Sequence, residues 1–335
     1  MSFLKHISKF GKKIAITDGQ NNLSYEKLIQ KSKKFTDKIK SKSLIFLISN
    51  NDIETICFYL SCILKKIPTA IINGNIKSKN LKKFISKYKP KYIIIKSDNY
   101  IKGYRIIDHK QRYFILKKKK RIKYKISKSL ALLLTTSGTT GDPKFARLSY
   151  GNFLNNIKNI IKSIKIKKSD TVITTLPISY SYGLSIINTF LYSGSKIFIN
   201  EKSVMDKNFW NLYKRFKPSH FYGVPFTFEI LSKFNFKYLY SINLKTIAVA
   251  GGKLDQTIFK KLVNKGSIVR SIIAKNTKDK PRSFFDGIDK WAKEQGSSGL
   301  AYFTLEKNDK ISGKGPVGKF FSEESLIELM KITNA

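Results

Sequence analysis

Short apolar runs alternate with amphipathic stretches through most of this chain. The run SLIFLIS at 43–49 is almost wholly apolar, as is typical of a parallel strand that is covered on both faces. Runs of this kind, which we predict to be strands, lie at 14–18, 43–49, 68–73, 92–96, 131–137, 171–178, 196–200, 220–224 and 246–252. Stretches with apolar residues at helical spacing, which we predict to be helices, lie at 23–40, 53–65, 77–88, 152–165, 205–216 and 256–265. The alternation predicts an α/β fold of mostly parallel sheets with flanking helices.

The first predicted helix shows the pattern most clearly. Its apolar positions Leu28, Ile29, Phe35 and Ile39 recur near helical spacing and predict one buried face. Ser24 stands before this stretch, and a serine hydroxyl accepts well from the free backbone N–H groups of a first helical turn. We therefore expect Ser24 to be the N-cap.

Three residues with reactive side chains are interpreted as structural. Cys57 and Cys62 lie on the predicted helix 53–65, where a buried cysteine behaves as a small hydrophobic residue. His220 lies in the strand-like run 220–224, an apolar setting that favours a core position over a catalytic one.

Cysteine and histidine counts exclude several classes of protein. The chain has 2 Cys and 3 His, too few for a disulfide scaffold, a Cys-rich zinc site or a His-rich metal centre. Its N-terminus lacks the apolar core of a signal peptide, and no stretch approaches 18 uninterrupted apolar residues. We therefore predict no metal site of its own, no transmembrane segment and a cytoplasmic location.

The charge is very high and uneven. Lys+Arg number 65 and Asp+Glu 22, a net charge of +43. Only 7 of the basic residues are Arg, and Ile, Asn, Phe and Tyr are also abundant, which favours A/T-rich codon usage over a selected nucleic-acid surface. From residue 267 onward the net charge is only +3, with 12 basic and 9 acidic residues, which leaves +40 for the first 266. The densest basic run, 117–128, is predicted to be a solvated connecting segment.

One loop carries a specific chemical signal. The apolar run that ends near Thr135 leads into a string of Gly, Thr and Ser closed by Lys144. Gly138 and Gly141 let backbone N–H groups turn toward an anion, hydroxyls add donors, and the lysine adds a positive charge. Such a loop suits a triphosphate or pyrophosphate, although its spacing is not that of a Walker A motif. The predicted phosphate-binding residues are Thr136, Ser137, Gly138, Thr139, Thr140, Gly141 and Lys144.

Over residues 8–266 the sequence resembles the adenylate-forming, AMP-binding superfamily, which includes acyl-CoA synthetases and nonribosomal peptide adenylation domains. The segments that carry the resemblance, in order, are IAITDGQNNLSYEKL (14–28), TTSGTTGDPK (135–144), LPISYSYGLS (176–185), FYGVPFTFEIL (221–231) and AVAGGKL (248–254). The third is similar to a Pro-x-x-His-x-x-Gly motif whose histidine position is Tyr180 here.

The resemblance implies a reaction in two halves. A carboxylate attacks the α-phosphate of ATP to give an acyl-adenylate and pyrophosphate, and a thiol such as coenzyme A or a carrier protein takes the acyl group. In this chain it places Tyr180 and Gly183 at the carboxylic acid substrate, and Gly251 and Gly252 beside the nucleotide. It implies ATP and Mg²⁺ as cofactors.

The family pattern breaks after Gly252. A Tyr-Gly-x-Thr-Glu motif with its Mg²⁺ carboxylate, a ribose-binding Thr-Gly-Asp motif and a C-terminal lysine are expected there, and none follows. No residue is therefore assigned as catalytic, and we expect impaired activity.

The tail, predicted as a separate domain over 267–335, resembles the GAD domain of bacterial aspartyl-tRNA synthetases. RSFFDGIDKWAKEQGSSGLAYF (282–303) and GKGPVGKFFSEE (313–324) carry this resemblance, which implies a small, partial α+β domain. Its first helix places Phe285, Ile288, Trp291 and Ala292 on one stripe, predicted as core, with Gly296 as C-cap. A later helix is predicted from Ser322, its N-cap, to Met330.

Three functions remain open from the sequence. The chain is an AMP-forming ligase, a tRNA-related module like its tail, or a nucleotide-binding pseudoenzyme that keeps the phosphate loop without the chemistry. The substrates implied are a carboxylic acid and ATP for the first, and tRNA for the second.

Overall fold

The computed structural model describes residues 3–39, 43–96, 101–120, 125–135, 144–234, 236–242, 244–263, 280–294, 304–307, 311–314 and 322–333. The chain divides into two compact units, Met1–Val249 and Ala250–Ala335. The domain boundary predicted at residue 266 lies outside the described residues and stays a prediction.

Among the described residues of the first unit, seven strands form the larger sheet. In spatial order they are β6 (Tyr104–Lys110), β7 (Tyr113–Lys118), β5 (Tyr92–Ile95), β3 (Ile45–Ser49), β4 (Thr69–Asn73), β8 (Leu130–Thr135) and β9 (Phe145–Ser149). The inner strands β5, β3, β4 and β8 are parallel, and the outer strands pair antiparallel. Every residue of β3 is buried, as its continuous apolar run predicts.

A second sheet of the same unit has six strands in the described ranges. In spatial order they are β13 (Thr246–Val249), β12 (His220–Gly223), β10 (Thr171–Ile173), β11 (Lys196–Phe198), β1 (Ile14–Thr17) and β2 (Asn22–Ser24). Only the β1–β2 pair is antiparallel in this sheet as described. The predicted α/β class with mostly parallel sheets is confirmed.

Helices flank both sheets. Those of the first unit are α1 (Phe3–Ile7), α2 (Tyr25–Lys33), α3 (Ile53–Leu64), α4 (Ser78–Tyr88), α5 (Tyr150–Ile164), α6 (Ser181–Ser193), α7 (Lys207–Phe216) and α8 (Pro225–Ser232). The 3₁₀ turns Ser8–Phe10 and Leu239–Ser241 complete the set. Ser24 caps α2 as predicted, since its side chain accepts from the backbone N–H of Lys27.

One hydrophobic core joins the inner faces of both sheets. It includes β3 and β4 of the larger sheet, β10 and β11 of the smaller sheet, and helices α3 and α6. Inside it, the Tyr59 hydroxyl of α3 donates to Asn188 Oδ1 of α6 at 2.8 Å, so these two buried side chains satisfy each other. Cys57 and Cys62 lie fully buried in this core as predicted, and burial raises the pKa of each thiol to about 12.

Several predicted bounds were wrong for identifiable reasons. Lys117 and Lys118 belong to β7 rather than to a connecting segment, because they continue the buried run of the β6–β7 hairpin, which the sequence pattern missed. The predicted strand 171–178 ends at Ile173, where a loop held by tertiary contacts begins, and the predicted helix 23–40 ends at Lys33 and passes into turns. The helix α6 was not predicted.

The second unit is small and mixed. Its described elements are α9 (Gln256–Val263), α10 (Arg282–Glu294), the antiparallel pair β14 (Thr304–Lys307) and β15 (Ile311–Lys314), and α11 (Glu323–Thr333). Ser322 caps α11 as predicted, because its hydroxyl accepts from the backbone N–H of Ser325 at 3.3 Å.

The core prediction for α10 was wrong at Ile288 and Trp291. Trp291 is 60% exposed and Ile288 37% exposed, so this part of the apolar stripe faces solvent, while Phe285 is half-buried. Amphipathic spacing shows that a helix has an apolar face and does not show what covers that face. The predicted C-cap Gly296 lies outside the described residues, and nothing is described of the side chain of Ala292.

Candidate nucleotide and acyl site

The carboxyl ends of the two sheets are tied together by one side chain. Asn51 follows β3 of the larger sheet, and its Nδ2 donates to the carbonyl oxygen of Leu176 at 3.1 Å. The backbone N–H of Ile178 donates to Asn51 Oδ1 at 3.0 Å. Both partners belong to the loop after β10 of the smaller sheet, so the amide fixes this loop at two points. We call this loop, together with the first residues of α6, the 174–183 segment.

A glycine allows the same segment to fold back closely on itself. A Cβ added at Gly183 would lie 2.2 Å from the carbonyl oxygen of Pro177 and 3.1 Å from that of Leu176. Both neighbours are backbone atoms of a fixed loop and have little room to move. The requirement here is close approach of backbone, which only glycine permits.

Tyr180 lies at the turn where this segment enters α6. Its backbone N–H donates to the Pro177 carbonyl at 3.1 Å, and its own carbonyl accepts from Leu184 at 2.9 Å. Its side chain is 52% exposed. The structure therefore brings the predicted residues Tyr180 and Gly183 together on one ordered turn, with the aromatic ring available to a ligand.

Two tyrosines, Tyr182 in the first turn of α6 and Tyr222 in β12, pack against each other next to this turn. The rings of Tyr182 and Tyr222 meet edge to face with centroids 6.1 Å apart. Burial raises the pKa of both phenols, so each keeps its proton and can donate. The Thr175 hydroxyl donates to the Tyr222 carbonyl and thereby joins the 174–183 segment to β12. The sequence interpretation missed these tyrosines, although both lie within segments that carry the family resemblance.

The predicted phosphate-binding loop connects β8 to β9. These strands pair antiparallel, with Thr135 opposite Phe145, so the ends of the loop are brought together at the carboxyl end of β8, which is parallel to β4. Lys144 is exposed immediately before β9. The remaining predicted residues Thr136, Ser137, Gly138, Thr139, Thr140 and Gly141 lie outside the described residues. Loops at this end of parallel strands are the usual place for a ligand in α/β folds.

Gly251 and Gly252 follow β13 in the chain and begin the second unit. Gly251 has a φ of +86°, a left-handed conformation that disfavours any side chain. The backbone therefore requires glycine at the first of these two predicted positions.

No group of three or more His, Cys, Asp or Glu side chains that could hold a metal occurs in the part of the chain that the structure describes. No helix within the described ranges is long and apolar enough to cross a membrane.

A cavity of about 590 Å³ opens beside Asn51. Its wall includes Asp52, which is 7% exposed and accepts from the Tyr113 hydroxyl at 2.9 Å and pairs with Lys96 at 3.4 Å. None of the predicted site residues lines this cavity. Its buried carboxylate is fully paired, which indicates a structural role.

An ionic cluster lies at the opposite ends of the smaller sheet's strands. Asp170 precedes β10, and its carboxylate contacts His220 Nε2 at 3.1 Å and the ammonium of Lys245. Burial opposes ionisation of Asp170, but the hydrogen bonds from Lys245, the Lys167 backbone and His220 outweigh it and lower its pKa. His220 is buried as predicted, at 1% exposure. The position at the amino ends of parallel strands favours a structural cluster.

Comparison with known families decides the classification of the chain. The family described as AMP-binding enzyme matches residues 3–273. The chain belongs to the AMP-binding enzyme family. A second family, described as GAD domain, matches residues 259–335. The two matches bear out the resemblances seen in the sequence, one for each part of the chain.

Solved structures of AMP-binding enzymes share the fold. An o-succinylbenzoate CoA synthetase from Bacillus subtilis aligns with TM-score 0.68 and 15% identity, over 92% of this chain and 66% of that one. The N-terminal subdomain of Klebsiella oxytoca NpsA, in complex with 3-hydroxybenzoyl-AMSN, aligns with TM-score 0.66 and 15% identity, over 79% and 69%. ATP-bound MatB from Rhodopseudomonas palustris aligns with TM-score 0.61 and 16% identity, over 79% and 58%.

Aspartate–tRNA(Asp/Asn) ligases are curated relatives over the GAD region. The aspartate–tRNA(Asp/Asn) ligase of Pelagibacter ubique is 76% identical over 78 residues, which are 23% of this chain and 13% of that ligase. The ligase of Ehrlichia chaffeensis is 46% identical over 77 residues, again 13% of its length. The chain thus spans about an eighth of the curated relatives that it matches.

Proposed function

We propose that this chain binds ATP and activates a carboxylic acid as its acyl-adenylate, with release of pyrophosphate. The family match over residues 3–273 carries this proposal. The ordered 174–183 segment supports it, because a turn fixed by Asn51 and Gly183 is rigid enough to position a substrate carboxylate.

Each predicted site residue has a role in this proposal. Residues 136–141 hold the β- and γ-phosphates with backbone N–H and hydroxyl donors, and Lys144 adds positive charge at the end of the loop. Tyr180 and Gly183 flank the acid. Gly251 and Gly252 let the backbone approach the nucleotide.

Adenylate formation is proposed to be slow in this chain. From residue 267 onward the sequence follows the GAD pattern, and the Mg²⁺, ribose and lysine motifs of the family do not occur after Gly252. By the family resemblance, those parts bind the nucleotide and its Mg²⁺ and serve the adenylation step. The chain therefore binds nucleotide and acid better than it turns them over.

Isotope exchange between pyrophosphate and ATP tests the proposal with the full chain and a panel of carboxylic acids. Raised thermal stability with ATP, together with exchange near background, is the expected result. Rapid exchange would overturn the impairment and leave the family function standing. Absence of both stabilisation and exchange would overturn ATP binding itself.

The tail supports a second candidate, a tRNA-related function. Its 76% identity to an aspartate–tRNA(Asp/Asn) ligase over 78 residues favours this candidate, although the matched part is 13% of that enzyme. A chain of net charge +43 binds any nucleic acid at low salt, so affinity for tRNA alone does not distinguish specific from non-specific binding. Binding of tRNA(Asp) that exceeds binding of an unrelated tRNA at 0.15 M salt would support the candidate, and equal binding would exclude it.

A further inference from the structure

Two buried hydroxyls near the 174–183 segment are unpaired. Ser179 is 1% exposed and Tyr222 is 2% exposed, and neither side-chain oxygen has a hydrogen-bond partner in the described part of the chain. Most buried polar groups are paired, and an unpaired one destabilises the folded state. What distinguishes Ser179 and Tyr222 from other such residues is their place beside the candidate site.

Both residues belong to the 174–183 segment or contact it. Ser179 lies between Ile178, which is fixed by Asn51, and the exposed Tyr180. Tyr222 is joined to the same segment through the bond from the Thr175 hydroxyl to its carbonyl. The ring of Tyr222 packs against Tyr182, in the first turn of α6. Ser179 therefore belongs to the segment that is proposed to receive the acid, and Tyr222 packs against that segment.

We propose that the acid taken by this site carries a hydroxyl or similar hydrogen-bonding group on its acyl portion, and that the Tyr222 and Ser179 hydroxyls bind that group. The proposal rests on the proposed function and names its substrate class. The packed rings of Tyr182 and Tyr222 make these surroundings aromatic, which suits a hydroxylated aromatic acid better than a long hydrocarbon chain. A site built to pair with a hydroxyl rejects an analogue without it, because the site's own polar groups are then left unpaired.

The chain contains two matched controls. Tyr150 and Ser43 also have buried side-chain oxygens without a partner among the described residues. Tyr150 begins α5 and Ser43 precedes β3, and neither belongs to the 174–183 segment or to β12. Removal of their hydroxyls therefore repeats the chemical change at positions outside the candidate site.

The first test measures thermal unfolding without ligand. Tyr222→Phe and Ser179→Ala remove an unpaired oxygen, so each is expected to keep or raise the melting temperature, by about 2 °C. Tyr150→Phe and Ser43→Ala are expected to behave in the same way. A clear loss of stability in Tyr222→Phe would show that its hydroxyl is paired in the folded protein and would overturn the proposal.

The second test measures binding of three non-reactive probes: adenosine sulfamates that carry a hydroxybenzoyl or a benzoyl group, and AMP. The intact chain is expected to bind the hydroxybenzoyl probe, as its 3- or 4-hydroxy isomer, about tenfold more tightly than the benzoyl probe. Tyr222→Phe is expected to abolish this preference, and Tyr150→Phe to retain it.

The outcomes separate this proposal from the proposed function. Equal binding of both acyl probes, or an unchanged preference in Tyr222→Phe, would overturn the substrate class and leave acyl-adenylate formation standing. Failure of all three probes, including AMP, would overturn the proposed function and this inference with it.

Discussion

The side-chain amide of Asn51 binds the backbone of Leu176 at 3.1 Å, across 125 residues of sequence. The same amide accepts from Ile178, so one residue satisfies a donor and an acceptor of the 174–183 segment. The loop that follows β10 of the smaller sheet is therefore positioned by the loop that follows β3 of the larger sheet. Asparagine suits this task because its amide offers both a donor and an acceptor.

Asn51→Ala tests that relationship. Loss of both bonds is expected to lower the free energy of unfolding by about 1–3 kcal/mol, because two loop groups lose their partner. Affinity for the acid is expected to fall more than affinity for AMP, since the segment beside the acid loses its anchor. Urea unfolding and calorimetric binding measure the two effects.

Asn80→Ala is the matched control, because Asn80 is exposed on α4. It is expected to change neither quantity. An acid affinity that is unchanged in Asn51→Ala would contradict the role of this contact in positioning.

Gly183→Ala is expected to destabilise the chain. Its new methyl group would lie 2.2 Å from the Pro177 carbonyl oxygen, so the loop or the start of α6 must move. Forced repacking of this kind costs about 1–3 kcal/mol. Chemical denaturation measures the loss.

Gly151→Ala provides the opposite case within the same unit. A Cβ at Gly151 would meet only Ser149 Oγ at 3.7 Å, an ordinary contact, and the position is helical. A gain of about 0.5–1 kcal/mol is expected, since alanine loses less conformational freedom than glycine in a helix. Equal stability of the two variants would contradict the argument from close approach.

Local patterning predicted most of the first unit, and tertiary contacts explain what it missed. Continuous runs such as β3 indicated buried parallel strands because both faces of such strands are covered. The β6–β7 hairpin was missed since its strands lie at the outer edge and mix buried with exposed positions. The contact of Asn51 with Leu176 joins distant segments and leaves no local signal.

In the second unit, the local pattern predicted the helix but not its surroundings. The spacing of Ile288 and Trp291 correctly indicated a helix with an apolar stripe, and the expected burial of these two residues was wrong. Of the candidate site, motifs predicted Tyr180, Gly183 and Lys144. They gave no indication of Ser179 or Tyr222, because the significance of an unpaired hydroxyl depends on burial, which one sequence does not show.

Lys144→Ala tests the phosphate loop through a residue that the structure describes. Loss of a positive charge beside a triphosphate is expected to weaken ATP binding about tenfold, and AMP binding much less, because AMP lacks the β- and γ-phosphates. Equilibrium binding of ATP and AMP checks the difference.

Lys128→Ala is the control for charge alone, because Lys128 is also exposed and precedes β8. It removes the same charge from a protein of net charge +43 without touching the loop. An equal loss of ATP affinity in both variants would indicate a general electrostatic effect and would contradict the proposed role of Lys144.

The Asp170 cluster predicts a pH dependence of stability with a definite sign. Hydrogen bonds from Lys245, the Lys167 backbone and His220 lower the pKa of Asp170 in the folded chain, against the effect of burial. The unfolded chain therefore binds a proton at higher pH than the folded chain does. The stabilisation from Asp170 is complete above its unfolded pKa of about 3.9, and it is lost as pH falls through the lower folded value.

Asp170→Asn removes this titration and leaves a side chain of similar shape. At pH 7 the variant is expected to be less stable by about 1–3 kcal/mol, because Lys245 and His220 lose a charged partner. Between pH 5 and pH 3 its stability should fall less steeply than that of the intact chain, so the two curves converge as the carboxylate of the intact chain is protonated. Urea unfolding at stepped pH measures both slopes. Asp206→Asn, at the half-buried N-cap of α7, changes a carboxylate outside the Asp170 cluster and is the comparison. Parallel curves for Asp170→Asn and the intact chain would show that Asp170 has the same pKa in both states and would contradict the assignment.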